Sequence, residues 1–291
     1  MVSSVQCRKV RDKSFARVTL CDVTGEIEGA VWNYNDHDFK ILEGGYYLIK
    51  LETTLYAGKL EFKTQVDSIA AVDTPINHFD YIKGVSDNLL ASYASEVEET
   101  ITQIDDPIYR DVMGNAVGRL SFLQALREAP YGVTGPMAYR GGLLVHVAHS
   151  MRLALVAIKQ AQELETPFSP SLVVTGCALR NIGWHTTVRF QGNHLRPKDA
   201  YNMIGIYRAS ARYIDHLMIT SESDLDMTIP EPKRQALENM CNKRPDILTL
   251  EGQIVSCADN MADVLDFGVA VLQQKPRGNW NNELFTGHLN S

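Results

Sequence analysis

The sequence lacks the marks of several protein classes. It has no uninterrupted apolar run near the ~18 residues that a membrane span needs, and its first residues, MVSSVQCRKVRDK, contain no apolar segment typical of a secretory signal. Its five cysteines are scattered, odd in number and without a C-x-x-C pair, which argues against a disulfide framework and a zinc ribbon. These absences favour a cytoplasmic protein with reduced thiols and no membrane partner.

A global excess of positive charge is also missing. The formal net charge is -7, so any nucleic-acid binding must come from a local patch. What the chain does have is apolar content, because 45% of its 291 residues are hydrophobic. That content is enough for a sizeable core, and the length favours about two domains.

The chain divides into a strand-rich part and a helix-rich part. Residues 1–72 read as short strands joined by glycine-containing turns, which predicts a small β-barrel. Residues 73–85 break both periodicities and predict a linker. From 86 to 275 apolar residues recur at helical spacing, and the polar residues 276–291 predict a loosely ordered tail. The predicted fold is therefore a multidomain β + α chain, with a barrel followed by an all-helical domain.

Three segments of the helical part carry the residues of chemical interest. The run GGLLVH ends at His146 on one apolar helix, LRNIG holds Arg180 and Asn181 at the end of the next, and SCADN holds Asp259 on a third. This frame resembles the HD phosphohydrolase domain. In that family a His-Asp pair occupies the second segment, and here Arg180 and Asn181 stand in its place.

The N-terminal strand and turn pattern resembles an OB-fold of the nucleic-acid-binding type. It has an aromatic residue in its second strand, a DVTG turn, the run EIE, a tryptophan, and then GGYY and KL. OB-folds bind single strands by stacking bases on exposed aromatic rings in a cationic groove. The resemblance implies the following contact residues: Arg11, Lys13, Phe15, Arg17, Trp32, Tyr56 and Lys59.

Taken together, the barrel, linker and HD-like helices resemble the YhaM-type 3′–5′ exoribonucleases over roughly residues 8–270. The resemblance implies a homo-oligomer, and a divalent metal (Mn or Mg) that is held by histidines and aspartates and activates water. Only His146 and Asp259 match that ligand set. Arginine has no lone pair for a metal, and asparagine is neutral. We therefore expect a degenerate HD site without a metal or other cofactor.

The substitution suggests what fills the vacated position. We expect the Arg180 guanidinium to lie there and to pair with Asp259, because charge-assisted arginine–carboxylate pairs are strong. Phosphate-binding candidates are Arg180, Arg189, Arg196 and Lys198.

Two histidines outside the motif bear on the same site. His149 lies three residues after His146, so both side chains can face one place on the helix. His185 lies in the segment WHTTVRFQGNH, which is predicted to be a loop. An alternative metal site combines His146, Asp259 and His185.

Three functions remain open from the sequence. The preferred one is a single-stranded RNA- or DNA-binding protein with an inactive HD site. The second is an active, metal-dependent 3′–5′ exoribonuclease or phosphohydrolase with a rebuilt site. The third is an interaction protein that binds a protein partner and no nucleic acid.

Overall fold

The computed structural model describes residues 1–274, apart from 11–12, 24, 36–39, 73, 75, 77, 83, 166, 192–193 and 242–248. Arg11 and the predicted tail 276–291 lie outside the described residues, and so does the side chain of Lys13. Strands come first along the chain and helices follow, so the predicted β-then-α layout is present.

The N-terminal strands are β1 (Val2–Val10), β2 (Lys13–Asp22), β3 (Gly25–Trp32), β4 (Tyr47–Ile49), β5 (Glu52–Tyr56), β6 (Lys59–Gln65) and β7 (Ile69–Ala71). Five of them form a mixed sheet in the order β1-β2-β3-β6-β5, in which only the β3–β6 pair is parallel. β4 pairs with β7 separately. Within the described residues the sheet is open, with β1 and β5 at its edges, and barrel closure stays a prediction.

The two faces of this sheet differ as the alternation in the sequence predicts. Ala16 and Val18 are buried on the inner face, where they join a small core with Val31 and Phe62. Residues at the alternate positions of β2 point outward. This outer face carries most of the predicted nucleic-acid contacts.

The helical part consists, in the described residues, of α1 (Asp87–Thr102), α2 (Pro107–Gly118), α3 (Phe122–Glu128), α4 (Gly142–Glu163), α5 (Pro170–Leu179), α6 (Gly183–Thr187), α7 (Asp199–Leu225), α8 (Glu231–Cys241) and α9 (Leu250–Gln274). A hairpin of β8 (Val188–Gln191) and β9 (His194–Pro197) separates α6 from α7. The segment predicted to be a loop after Asn181 is therefore a short helix and a β-hairpin. The prediction was wrong because strands of four residues leave little periodicity in a sequence.

α4 is the central helix of this part and packs against α1, α5 and α9. It is long and apolar enough to meet length and composition criteria for crossing a membrane. Within the fold, 61% of its most apolar stretch is buried. Core helices of soluble proteins have the same properties, so this helix by itself is weak evidence for a membrane span.

Candidate functional site: a buried charge cluster and an exposed sheet face

α4, α5 and α9 bring His146, Arg180, Asn181 and Asp259 into one buried cluster. His146 is 0% exposed, and the other three are each 2% exposed. The close packing depends on the glycine that follows the motif. A Cβ atom on Gly183 would lie 2.1 Å from the main-chain oxygen of Ile206, so only glycine allows α6 to approach α7 this closely.

Asp259 is the centre of the cluster. Its Oδ2 accepts a hydrogen bond of 2.9 Å from Nε of Arg180, and its Oδ1 accepts one of 2.6 Å from Nδ2 of Asn181. Nη1 of Arg180 donates to the main-chain oxygen of Met240 at 2.5 Å. The pair expected between Arg180 and Asp259 is thus present, with one hydrogen bond rather than a bidentate contact.

His146 lies between two carboxylates. Its Nε2 is 2.9 Å from Oδ1 of Asp259, and its Nδ1 is 3.1 Å from Oδ2 of Asp266. An ionised carboxylate only accepts, so both ring nitrogens donate and the ring is an imidazolium. Burial alone would lower the pKa of His146, but the hydrogen bonds to Asp259 and Asp266 outweigh burial and raise the pKa to about 9.

The pKa values of the two carboxylates that contact His146 shift in the opposite direction. Burial would raise the pKa of Asp259, yet the hydrogen bond from His146 and the charge of Arg180 hold the pKa below its usual value. The same balance lowers the pKa of Asp266, whose hydrogen bonds come from His146 and His149. Both aspartates are therefore ionised at neutral pH, and the cluster is a network of paired charges.

Sequence reasoning missed Asp266, although a signal for it was present. Asp259, Asp263 and Asp266 are spaced i, i+4 and i+7 on α9, which places all three on one helix face. The structure agrees with the expectation that His149 and His146 face the same place on the helix. Nδ1 of His149 lies 2.6 Å from Oδ1 of Asp266, so His146 and His149 share that carboxylate.

Tyr131 covers the cluster and was not predicted at all. Its ring stacks on the imidazole of His146 with centroids 3.7 Å apart and planes inclined by 10°. Its hydroxyl donates to Oδ1 of Asp263 at 2.7 Å. Tyr131 lies in the segment between α3 and α4, where no periodic pattern marks it.

The donor set does not fit a divalent metal. Asp259 already accepts hydrogen bonds from three side chains, and both nitrogens of His146 face carboxylates. Across the part of the chain that the structure describes, no group of three or more His, Cys, Asp or Glu side chains has a metal-binding arrangement. The buried guanidinium of Arg180 also adds a fixed positive charge where a cation would bind.

His185 is not brought into the cluster by any described hydrogen bond or ion pair. It lies half-buried on α6, where its main-chain oxygen accepts a hydrogen bond from the Lys198 amino group at 3.4 Å. Burial, and then the charge of Lys198, lower the pKa of His185. The contacts of this histidine thus point to the base of the β8–β9 hairpin rather than to Asp259.

The remaining phosphate candidates gather on that hairpin. Arg189 and Arg196 are direct cross-strand partners, and both side chains are exposed. Neither has an ion pair among the described residues. Like charges that face each other across a strand pair repel, so an anion would relieve this arrangement. Lys198 follows directly after β9, and burial and then the charge of Arg189 lower its pKa. Arg180, in contrast, is buried and already paired.

Two contacts join the hairpin to the N-terminal part. Nε2 of Gln191 donates to Oε2 of Glu43 at 3.2 Å, and Nε2 of His194 lies 3.4 Å from Oε1 of Glu26. The exposed arginines of the hairpin are therefore on an element that contacts the sheet-bearing region.

On the outer face of the sheet the predicted nucleic-acid contacts form two separate groups. Phe15 and Trp32 are cross-strand partners whose ring centroids lie 5.0 Å apart, near the end of β6 at Gln65. Tyr56 and Lys59 lie at the opposite end of β6. Six residue-to-residue steps along β6 separate the two ends, which is roughly 20 Å.

Arg17 lies between the two groups and is not a free cation. Its guanidinium contacts Glu61 at 2.6 Å and Glu28 at 3.2 Å. Glu28 and Glu61 face each other across the β3–β6 pair, so Arg17 offsets a repulsion within the sheet. Cationic side chains other than Arg17 lie at the Phe15–Trp32 end of the sheet. Lys50 and Lys63 line a groove beside Trp32.

Comparison of the chain with family models, with curated proteins and with solved structures finds no match. The resemblance to OB-fold and HD proteins therefore rests on the residues themselves.

Proposed function

We propose that this protein binds single-stranded nucleic acid at the Phe15–Trp32 end of its N-terminal sheet, and that its helical part is an HD-like domain without hydrolytic activity. In this proposal the chain is a catalytically impaired relative of the YhaM-type exoribonucleases. The N-terminal part is an OB-like module, and RNA or DNA is its ligand.

The observation that carries the binding half of the proposal is a partly exposed aromatic pair with two exposed lysines beside it. Phe15 and Trp32 are only partly buried, so each ring has surface on which a base can stack. Lys50 and Lys63 are exposed on the same groove and can contact the phosphates that follow. Glu52 also lines that groove, which limits its positive potential and favours modest, salt-sensitive affinity.

The inactive half of the proposal rests on the partners of Asp259. A hydrolytic metal site needs carboxylate and imidazole groups that are free to coordinate. Here Arg180, Asn181 and His146 hold Asp259 in hydrogen bonds that satisfy it within the protein. These residues therefore offer no coordination site at which a metal could activate a water molecule as the nucleophile.

Titration of a fluorescent single-stranded 12-mer tests the binding half. Base–aromatic stacking contributes about 1–3 kcal/mol per base, so Trp32→Ala should weaken affinity about tenfold or more. Lys63→Glu changes an exposed side chain and leaves the inner core untouched. It should weaken binding of the 12-mer, and the affinity should depend less steeply on salt concentration because a phosphate contact is lost. Tyr56→Ala is the matched control, because Tyr56 is 69% exposed at the other end of β6.

The same oligomer tests the catalytic half. Incubation with Mn²⁺ or Mg²⁺ should leave its length unchanged over hours. Shortening that depends on the metal and is lost in Asp259→Asn would instead support the active-enzyme alternative. An absence of binding by the intact chain would favour the protein-interaction alternative.

A further inference from the structure

A second cavity lies beside the charge cluster, and its lining is aromatic and acidic. It has a volume of about 410 Å³ and opens between the segment before α4, the α6–α7 region and α9. Its rings come from Tyr131, Trp184, Tyr201, Tyr207 and Phe267, and its charged groups are Asp263 and Asp266. Neither the nucleic-acid surface nor the hydrolytic remnant accounts for this cavity.

Three of the five rings, those of Tyr131, Trp184 and Tyr201, are in successive contact. The centroids of Tyr131 and Trp184 are 5.9 Å apart with planes at 65°, and those of Trp184 and Tyr201 are 6.1 Å apart with planes at 36°. Phe267 stands at the mouth, where it is 59% exposed. Aromatic faces carry negative electrostatic potential, so a cage of this kind attracts a cation more than a neutral group of the same shape.

Asp263 supplies a negative charge that the protein leaves accessible. Its side chain is 43% exposed, and its hydrogen bond comes from the neutral hydroxyl of Tyr131. His146 is the nearest positive group, with Nδ1 at 3.7 Å, but that nitrogen donates to Asp266. Asp263 is thus the carboxylate of the cluster that accepts no hydrogen bond from a cationic side chain in the described residues.

Positive charges near the cavity are already matched by aspartates. Arg180 lies 5.8 Å from the ring centre of Tyr207 and is paired with Asp259. No lysine, arginine or histidine is among the described residues that line the cavity. An anionic ligand such as a phosphate would meet Asp263, while the nearest cation, His146, is already engaged by Asp259 and Asp266, and the lining therefore selects against an anion.

We propose that this cavity binds a quaternary ammonium group, the aromatic wall surrounding its methyl groups and Asp263 offsetting its charge. A quaternary ammonium has no N–H to satisfy, which suits a lining of rings with a single accessible carboxylate. The site is independent of nucleic-acid binding at the sheet, so either can fail without the other.

Calorimetric titration of the full chain with choline tests the proposal. The matched probe is 3,3-dimethylbutan-1-ol, which has the same shape without the charge. We expect saturable binding of choline and at least tenfold weaker binding of the alcohol. Equal binding of the two, no saturable binding of choline at about 10 mM, or preferred binding of inorganic phosphate would each overturn the proposal.

Variants locate the site. Asp263→Asn should weaken choline binding severalfold, and Phe267→Ala, at the exposed rim, should weaken it while leaving the melting temperature unchanged. Asp67→Asn removes the same charge from an exposed position outside the cavity and should leave choline binding as it is. An equal loss of choline binding in Asp67→Asn would contradict the assigned site.

A short peptide with trimethyllysine distinguishes two sources of the same group. Binding tighter than that of choline, together with no binding of the unmethylated peptide, places the ammonium on a protein partner. Binding of choline with no gain from the peptide places it on a free small molecule.

Discussion

The outer face of the sheet and the buried cluster both contain paired charges, but water reaches only one of them. On the sheet, Arg17 and its glutamates remain partly exposed, with side-chain exposures of 31% for Arg17, 60% for Glu28 and 17% for Glu61. In the cluster, Arg180 and Asp259 have side-chain exposures of 2% and 3%. Water screens the first pairs, whereas each member of the second depends on its partner for compensation.

This difference separates what each region can do. Arg17 can exchange a glutamate contact for a phosphate at a smaller cost, because this ion-pair network is partly exposed to water. The cluster cannot release Asp259 to a metal without leaving Arg180 as a buried, uncompensated cation and His146 with Asp266 as its remaining hydrogen-bonded carboxylate. We therefore expect the chain to carry both a surface that can bind a ligand and a buried cluster that cannot coordinate a metal.

The largest effect should come from removing the central carboxylate. Asp259→Asn leaves two buried cations without their shared counter-charge, and the free energy of unfolding should fall by about 3–5 kcal/mol. Urea denaturation measures this loss. The sheet variant Glu61→Gln is the comparison, and it should cost less than about 1 kcal/mol because Arg17 is partly exposed to water and keeps Glu28. Equal losses in the two variants would remove the contrast between the regions.

The next effect concerns pH and His146. Its pKa is raised to about 9 in the folded protein, above the ~6.5 of an unfolded histidine. The stabilisation from this group should therefore be complete below about pH 6.5 and should be lost as the pH rises through 9. The loss should reach at most about 3 kcal/mol.

Denaturation of the parent chain and of His146→Gln between pH 6 and 10 checks this expectation. The variant should lack the loss that His146 causes, while cysteines and tyrosines contribute to both proteins alike. Parallel pH profiles would show that His146 is not the titrating group.

The smallest effect should come from the hairpin. Arg189→Ser removes the repulsion between Arg189 and Arg196 and should raise the free energy of unfolding by a few tenths of a kcal/mol at low salt. The gain should vanish at about 1 M salt, where such repulsion is screened. The same variant should weaken binding of the 12-mer if the hairpin contacts phosphates. A stability loss at low salt would mean that Arg189 has a favourable contact in the fold.

The strand-to-helix order and the Arg180–Asp259 pair could be predicted from the sequence. Alternation in β2 and helical spacing after residue 86 are strong periodic signals. The pair was predictable because a buried carboxylate needs compensation and Arg180 was the one new cation in the motif.

Other parts of the site carry no such signal. Tyr131 stacks on His146 from an irregular segment, and its position depends on how that segment packs. The β8–β9 hairpin is too short to show a period. The division of the aromatic candidates between two ends of β6 follows from strand register, which is set by pairing across the sheet.

The central claim is that side chains of the protein, and not a metal, compensate Asp259. Calorimetric titration of the purified chain with Mn²⁺ near pH 7.5 tests it most directly. The account predicts no saturable binding that depends on Asp259, and the same heat signal in the parent and in Asp259→Asn. Stoichiometric Mn²⁺ binding that disappears in Asp259→Asn would contradict it.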